Sequence, residues 1–256
     1  MRQSIAILGI MAFLISSCKT EDIEPNQRFD LTNSLNGFQY EVCVVERNVN
    51  ENAIKNVIFL LDVDDLLPVV LDEYKAIAST RPLVIIGVKS KEDGKRVRDY
   101  TPTEIDSEES GKADEFFGFI EQDLIPELAS RQIIDSTSIR SVLGHSLGGL
   151  ATCFAFTFYN SMFDNYIALS PALFWDDYVF FKLENDARDS ILQTKCKVFL
   201  GVGENEDFGM TNGFSYFADI IETYYSSVEL STTKERGSHL GSRRKLINRS
   251  LKNILE

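Results

Sequence analysis

The stretch Gly144-His145-Ser146-Leu147-Gly148-Gly149 constrains this 256-residue chain more than any other, because the apolar run Ile139 to Leu143 leads into it and Leu150 to Tyr159 leaves it. A β-type run, G-x-S-x-G and a helix-type run together are the pattern of a nucleophile elbow, a sharp strand-to-helix turn that projects a serine hydroxyl above a sheet. Gly144 and Gly148 fall where a side chain would collide with the neighbouring strand or helix, and glycine tolerates the backbone angles of such a turn. The helix that follows aims its first N–H groups and its positive dipole end at the serine, where negative charge develops during acyl transfer. Ser146 is therefore the candidate nucleophile. A glycine-flanked serine can also simply cap a helix. The flanking runs, the mid-chain position and a single further histidine downstream, His239, favour the chemical reading.

The rest of the chain alternates in the same way. Phe38 to Val45 has the alternation of an antiparallel strand near a sheet edge, whereas Val57 to Leu61, Leu83 to Val88, Ile139 to Leu143, Tyr166 to Leu169 and Val198 to Val202 are short continuous apolar runs. Such runs suit parallel strands covered on both faces. Between them lie helical patterns, among them Phe116, Phe117, Ile120, Leu124 and Leu128 at helical spacing from Lys112 onward, and Leu246, Ile247, Leu251 and Ile254 near the C-terminus. The fold class expected is α/β, a mostly parallel twisted sheet with helices on both faces, and any site should lie at the carboxyl ends of the strands.

The first residues stand apart. Arg2 precedes an apolar stretch, Ile5 to Ile15, that ends at Ser16-Ser17-Cys18. It is short for a membrane span and has the layout of a secretory signal. Small residues before a cysteine resemble a bacterial lipoprotein signal, which implies cleavage after residue 17 and lipidation of Cys18. The expected organisation is a signal peptide over 1–17, a lipid-anchored acidic tether over 18–37 and one domain over 38–256, placed in the cell envelope and facing either the periplasm or the outside. The formal net charge of −13 would become −14 without residues 1–17 and argues against nucleic acid or an anionic membrane surface as a partner. Membrane attachment is thus expected through the N-terminal lipid only. Cys43, Cys153 and Cys196 are odd in number and irregularly spaced, which suits buried thiols, and two histidines without a C-x-x-C suggest neither a metal nor another cofactor.

Candidate chemistry falls where apolar runs end: Asp62 to Asp65, Lys89 to Arg98, Ser146, Trp175, Glu204 to Asp207 and His239. Ser146 needs a base. His145 adjoins it in the elbow and should point away, which leaves His239. The order Ser, acid, His is that of α/β-hydrolases. Glu204, Glu206 and Asp207 are the carboxylates on offer. The N–H of Leu147 and one from the loop after Leu61 would form the oxyanion hole. The basic loop Lys89 to Arg98, with five basic and two acidic residues, is the clue to an anionic or catecholate ligand. The candidate substrate-binding residues are Arg98, Tyr100, His145, Phe174 and Trp175, the two aromatics Phe174 and Trp175 as a stacking wall.

Several segments together resemble the esterase family of α/β-hydrolases that includes esterase D, siderophore esterases, feruloyl and acetylxylan esterases and the mycolyltransferases. They are Phe59-Leu60-Leu61-Asp62, Arg98-Asp99-Tyr100-Thr101-Pro102, Gly111 to Phe116, Gly144 to Gly149, Leu169-Ser170-Pro171 with Trp175, Gly203 to Glu206, and Ser238-His239. The resemblance implies a domain with little or no cap, Glu206 as the acid and Asp64 as the second oxyanion donor. It also implies a serine esterase acting on a small ester such as a siderophore ester or an acylated carbohydrate. An acyltransferase using the same residues and a non-catalytic binding lipoprotein on this fold are the alternatives. Nothing in the sequence speaks to oligomeric state.

Overall fold

Continuous apolar runs do become strands buried on both faces. The computed structural model describes residues 25–50, 53–105, 109–191 and 195–255, so the expected signal peptide and Cys18 lie outside the described residues. The strands are β1 (Gln27–Thr32), β2 (Gln39–Arg47), β3 (Asn56–Leu60), β4 (Leu83–Ser90), β5 (Ile139–His145), β6 (Asn165–Leu169), β7 (Lys197–Gly203) and β8 (Glu229–Glu235). They form one sheet in the order β1-β2-β4-β3-β5-β6-β7-β8. β1 and β2 are antiparallel to their neighbours, and β4 through β8 run parallel.

Helices cover both faces. On one side α1 (Val63–Ala76) and α8 (Arg243–Leu255) pack Leu66, Val70, Leu246 and Leu251 onto Ile58, Leu60, Ile85, Leu143 and Ile167. On the other side lie α3 (Ala113–Phe119), α4 (Ile125–Ser130), α5 (Leu147–Phe158), α6 (Trp175–Ile191) and α7 (Phe208–Tyr224). Their Phe117, Leu128, Leu150, Phe180 and Phe217 meet Val57, Phe59, Val142 and Val198 in the larger core. Alternate residues of a single strand, such as Ile58 and Phe59, feed opposite layers, as the two-residue strand period requires. This is the α/β-hydrolase fold, and it agrees with the expected class.

Two expectations change in detail. The domain begins before Phe38: β1 pairs with β2, Phe29 opposite Val42, so residues 27–32 belong to the sheet rather than to a tether. Only Phe29 and Leu31 interrupt its polar residues, which is what a strand at an exposed edge needs and what makes it hard to see. The helix expected from Lys112 to Leu128 is α3 and α4 joined by a π turn, Ile120–Leu124. Pro126 opens α4 without an N–H for the preceding turn, and the wider π hydrogen bonds accommodate that.

The chain leaves β3 toward β4 and returns to β5 on the other side of β3. The loops after β3 and β5 therefore face each other across the point where the strand order reverses, the place where open α/β sheets bind ligands.

Candidate active site

Ser146 sits between β5 and α5 with φ 62° and ψ −119°, a conformation that costs a non-glycine residue about 1–3 kcal/mol. Close packing imposes it. A Cβ at Gly144 would lie 2.1 Å from the carbonyl oxygen of Gly148, and one at Gly149 would lie 2.9 Å from that of Leu169. The loop after β6 braces the turn: Ser146 N–H donates to Leu169 O at 3.0 Å, and Ala172 N–H donates to Ser146 O at 3.1 Å. The Ser146 side chain makes no capping hydrogen bond to α5, so the hydroxyl is not spent on the helix.

His239 arrives on the loop between β8 and α8. Its Nδ1 lies 2.7 Å from Glu206 Oε2, and the Glu206 side chain is fully buried. The other carboxylate oxygen, Oε1, accepts from Ser170 Oγ at 2.6 Å and from Gly203 N–H at 2.7 Å. Burial alone would push this carboxyl up, but the hydrogen bonds from His239, Ser170 and Gly203 outweigh it and hold Glu206 below the usual carboxylate range. The other two carboxylates have different places. Asp207 caps α7 by accepting from Met210 N–H at 3.0 Å, and Glu204 is exposed. Ser170, which sequence reasoning left without a role, is fully buried in a left-handed conformation at φ 45°. Its place at the end of β6, beside the end of β7, was the available signal.

The loop after β3 forms the facing wall. Asp62 is left-handed at φ 56°, its N–H donates to Tyr100 Oη at 3.0 Å, and its carbonyl accepts from Asp65 and Leu66. The N–H groups of Val63 and Asp64, at the start of α1, have no partner inside the helix, and neither has that of Leu147 at the start of α5. The Asp64 carboxylate turns away to Lys89, 2.5 Å distant and largely exposed.

The proposed substrate residues separate. α2 (Arg96–Tyr100) forms where a charged loop was expected, and it places its two arginines differently. Arg98 is fully buried beneath Phe38, its Nε on Asp99 at 2.7 Å and its other nitrogens on Asp99, Ser90 and Glu92, so it is committed to the protein rather than offered to a ligand. Arg96 reaches the site instead. Its Nε and Nη2 grip Asp62 at 2.5 and 2.8 Å, and Nη2 also donates to the His145 carbonyl at 3.1 Å. Arg96 lines a hollow of about 270 Å³ with Asp62, Asp64, Lys89, Lys95 and Tyr100. Tyr100 is itself buried and serves Asp62. His145 is buried against His239, so it too faces the protein and not a substrate. Phe174 is exposed, as a stacking wall requires, and Trp175 is half-buried with its indole N–H lacking a hydrogen-bond partner. Phe208 and Leu240 are exposed as well, Phe208 directly after Asp207 and Leu240 directly after His239.

No group of three or more His, Cys, Asp or Glu side chains among the described residues is placed to hold a metal ion. Cys43, Cys153 and Cys196 are free and buried, and burial pushes the Cys196 thiol up to about 12.

With that geometry in place, the sequence profile of the family described as Putative esterase matches residues 47–244, which span the strands and loops that carry the candidate site. The chain belongs to this family. A curated relative, the ferri-bacillibactin esterase BesA of Bacillus subtilis (strain 168), is 41% identical over 68 residues, which are 27% of this chain and 23% of that protein. Among solved structures, the BES protein of Bacillus cereus superposes with a TM-score of 0.77 at 20% identity, over 90% of this chain and 96% of that one. The siderophore hydrolase EstA of Aspergillus nidulans gives 0.73 at 16% identity, over 89% and 93%. An IroE-like serine hydrolase of Shewanella oneidensis gives 0.74 at 19% identity, over 90% and 79%. At these identities the structural matches establish the shared fold.

Proposed function

We propose that this esterase-family member is a serine carboxylic-ester hydrolase in which Ser146, His239 and Glu206 act as a triad. The observation that carries the reading is the 2.7 Å contact between His239 Nδ1 and a buried, fully hydrogen-bonded Glu206, with the His239 ring packed on that of His145, the residue before a strained serine that caps nothing. Ser146 Oγ attacks the ester carbonyl while His239 Nε2 takes its proton. Glu206 holds the Nδ1–H tautomer and stabilises the imidazolium. The N–H groups of Leu147 and Asp64 receive the oxyanion. His239 then protonates the leaving alkoxide, and a water, deprotonated by the same imidazole, releases the acid and restores Ser146.

The substrate class proposed is a siderophore-type ester. It rests on the activities named for BesA and EstA and on two unlike features near the strand ends: exposed Phe174, Phe208 and Leu240 on the loops after β6, β7 and β8, and the charged hollow around Arg96, which holds the His145 carbonyl. A lipid anchor at Cys18 and an envelope location complete the proposal and rest on the N-terminal sequence alone. Among the described residues no helix is long and apolar enough to cross a membrane.

The test is labelling with a fluorophosphonate probe. The parent should label, Ser146→Ala should not, and His239→Ala should label far more slowly. A folded parent that does not label would refute the triad; where the parent labels, turnover of catecholate esters against acetylated sugars decides the substrate class.

A further inference from the structure

We propose that His145 is a positioning residue for proton transfer: its Nε2–H, donated to the main-chain carbonyl of His239, holds in register the loop that carries the catalytic imidazole. The kinetic consequence rests on the esterase reading above, whereas the hydrogen bond itself does not.

His145 ends β5 next to the nucleophile, yet it is buried and turned from the open side of the site. Its Nε2 lies 3.2 Å from His239 O. A carbonyl only accepts, so Nε2 must carry the hydrogen. Burial pushes the His145 pKa down to about 4, which leaves the ring neutral at pH 7 and therefore in the Nε2–H tautomer. The groups that face it are His239, Glu206 and Arg243, and Arg96 binds its carbonyl oxygen.

The rest of the loop is braced elsewhere. Asn205 N–H donates to Gly237 O, and Ser242 donates to Ser238 O from both its N–H and its Oγ. These bonds end on the two residues before His239, and Leu240 and Gly241 after it are exposed. The carbonyl of His239 is therefore tied down by His145. The two imidazole rings lie 4.5 Å apart between centroids, tilted by 35°. His145 thus also offers a neutral aromatic face to the imidazolium formed when Ser146 loses its proton, an attraction that a charged neighbour would reverse.

The chain has two histidines, so selective 15N-histidine labelling reads four ring nitrogens. In the parent at pH 7, the signals lost in His145→Gln should show a neutral ring protonated at Nε2. A ring protonated at Nδ1, or at both nitrogens, overturns the proposal whatever the activity. In turnover of p-nitrophenyl acetate, His145→Leu removes the donor at similar volume, and a shift of about 1 Å in the base should lower kcat about 100-fold. KM should stay within about twofold, because the interaction is made apart from the substrate. His145→Gln retains an N–H donor of similar reach and should recover most of the loss. Equal kcat in the parent and in His145→Leu overturns the proposal. A parent that neither labels with fluorophosphonate nor turns over ester refutes the esterase reading, and with it the kinetic claim, while the tautomer still decides the hydrogen bond.

Discussion

The two walls that face Ser146 are built on opposite plans. On the side of β6, β7 and β8, one carboxylate is fully enclosed and each of its oxygens has a neutral or imidazole partner: Ser170, Gly203 N–H and His239. On the side of β3 and α2, charge answers charge. Asp62 is gripped by Arg96, whose side chain is 39% exposed, and Asp64 pairs with Lys89 out in solvent. In the proposed mechanism His239 is a general base that must keep one geometry through the reaction, and dry support saturated with hydrogen bonds suits that role. The β3 and α2 side instead keeps exposed charge beside a hollow.

The largest effect expected from breaking this contrast is at Glu206. Glu206→Gln keeps the shape but replaces one acceptor oxygen by a donor, which destroys either the bond to His239 or those to Ser170 and Gly203. Loss of the tautomer control should lower kcat roughly 10⁴-fold with little change in KM, measured as initial rates on a p-nitrophenyl ester. The opposite wall predicts a loss of stability in place of a loss of chemistry. Arg98→Met leaves Asp99, itself buried, without its cation and should lower the unfolding free energy in urea by about 3–5 kcal/mol. Exchanging both partners, Arg98→Met with Asp99→Leu, should restore most of it, because the cost lies in the stranded charge.

Parts of this design are legible in the chain. Continuous apolar runs mark β3 to β7, and glycines 144, 148 and 149 announce an elbow whose close contacts they relieve. His239 follows by elimination, since there is one other histidine. The carboxylate is a harder matter. Glu204, Glu206 and Asp207 are chemically equivalent in sequence, and what separates them is which one the β7 turn tucks beneath Ser170, a long-range contact. Arg96 and Arg98 are equally opaque, because a short helix not evident from pattern sends one guanidinium to the elbow and the other into the core. β1 is hard to read for a different reason: an edge strand with two half-buried apolar residues has the composition of a tether.

The next effect is on stability against pH. The folded pKa of His145, about 4, lies below the unfolded value of about 6.5, so the unfolded chain binds the proton more readily. Stability is complete above pH 6.5 and falls as the pH drops toward 4, by about 3 kcal/mol over the full interval from this group alone. In His145→Gln that contribution is absent, and urea midpoints taken between pH 7 and 4 should decline less steeply than in the parent.

The smallest effect sharpens the comparison most, because Arg96 belongs to both plans. It is exposed enough to meet a ligand, yet Nε and Nη2 are already spent on Asp62 and on the His145 carbonyl. If it acts by holding the Asp62 turn, and with it the Asp64 N–H, then Arg96→Gln should misplace one oxyanion donor and lower kcat by about tenfold, less than deleting such a donor outright. That loss should be equal for neutral and anionic esters of the same alcohol. A loss confined to the anionic ester and expressed in KM would instead make Arg96 a ligand-binding residue. Because the Asp62 side chain is only 10% exposed, adding salt to the parent should not reproduce the effect of the variant, as it would for a solvent-screened surface pair.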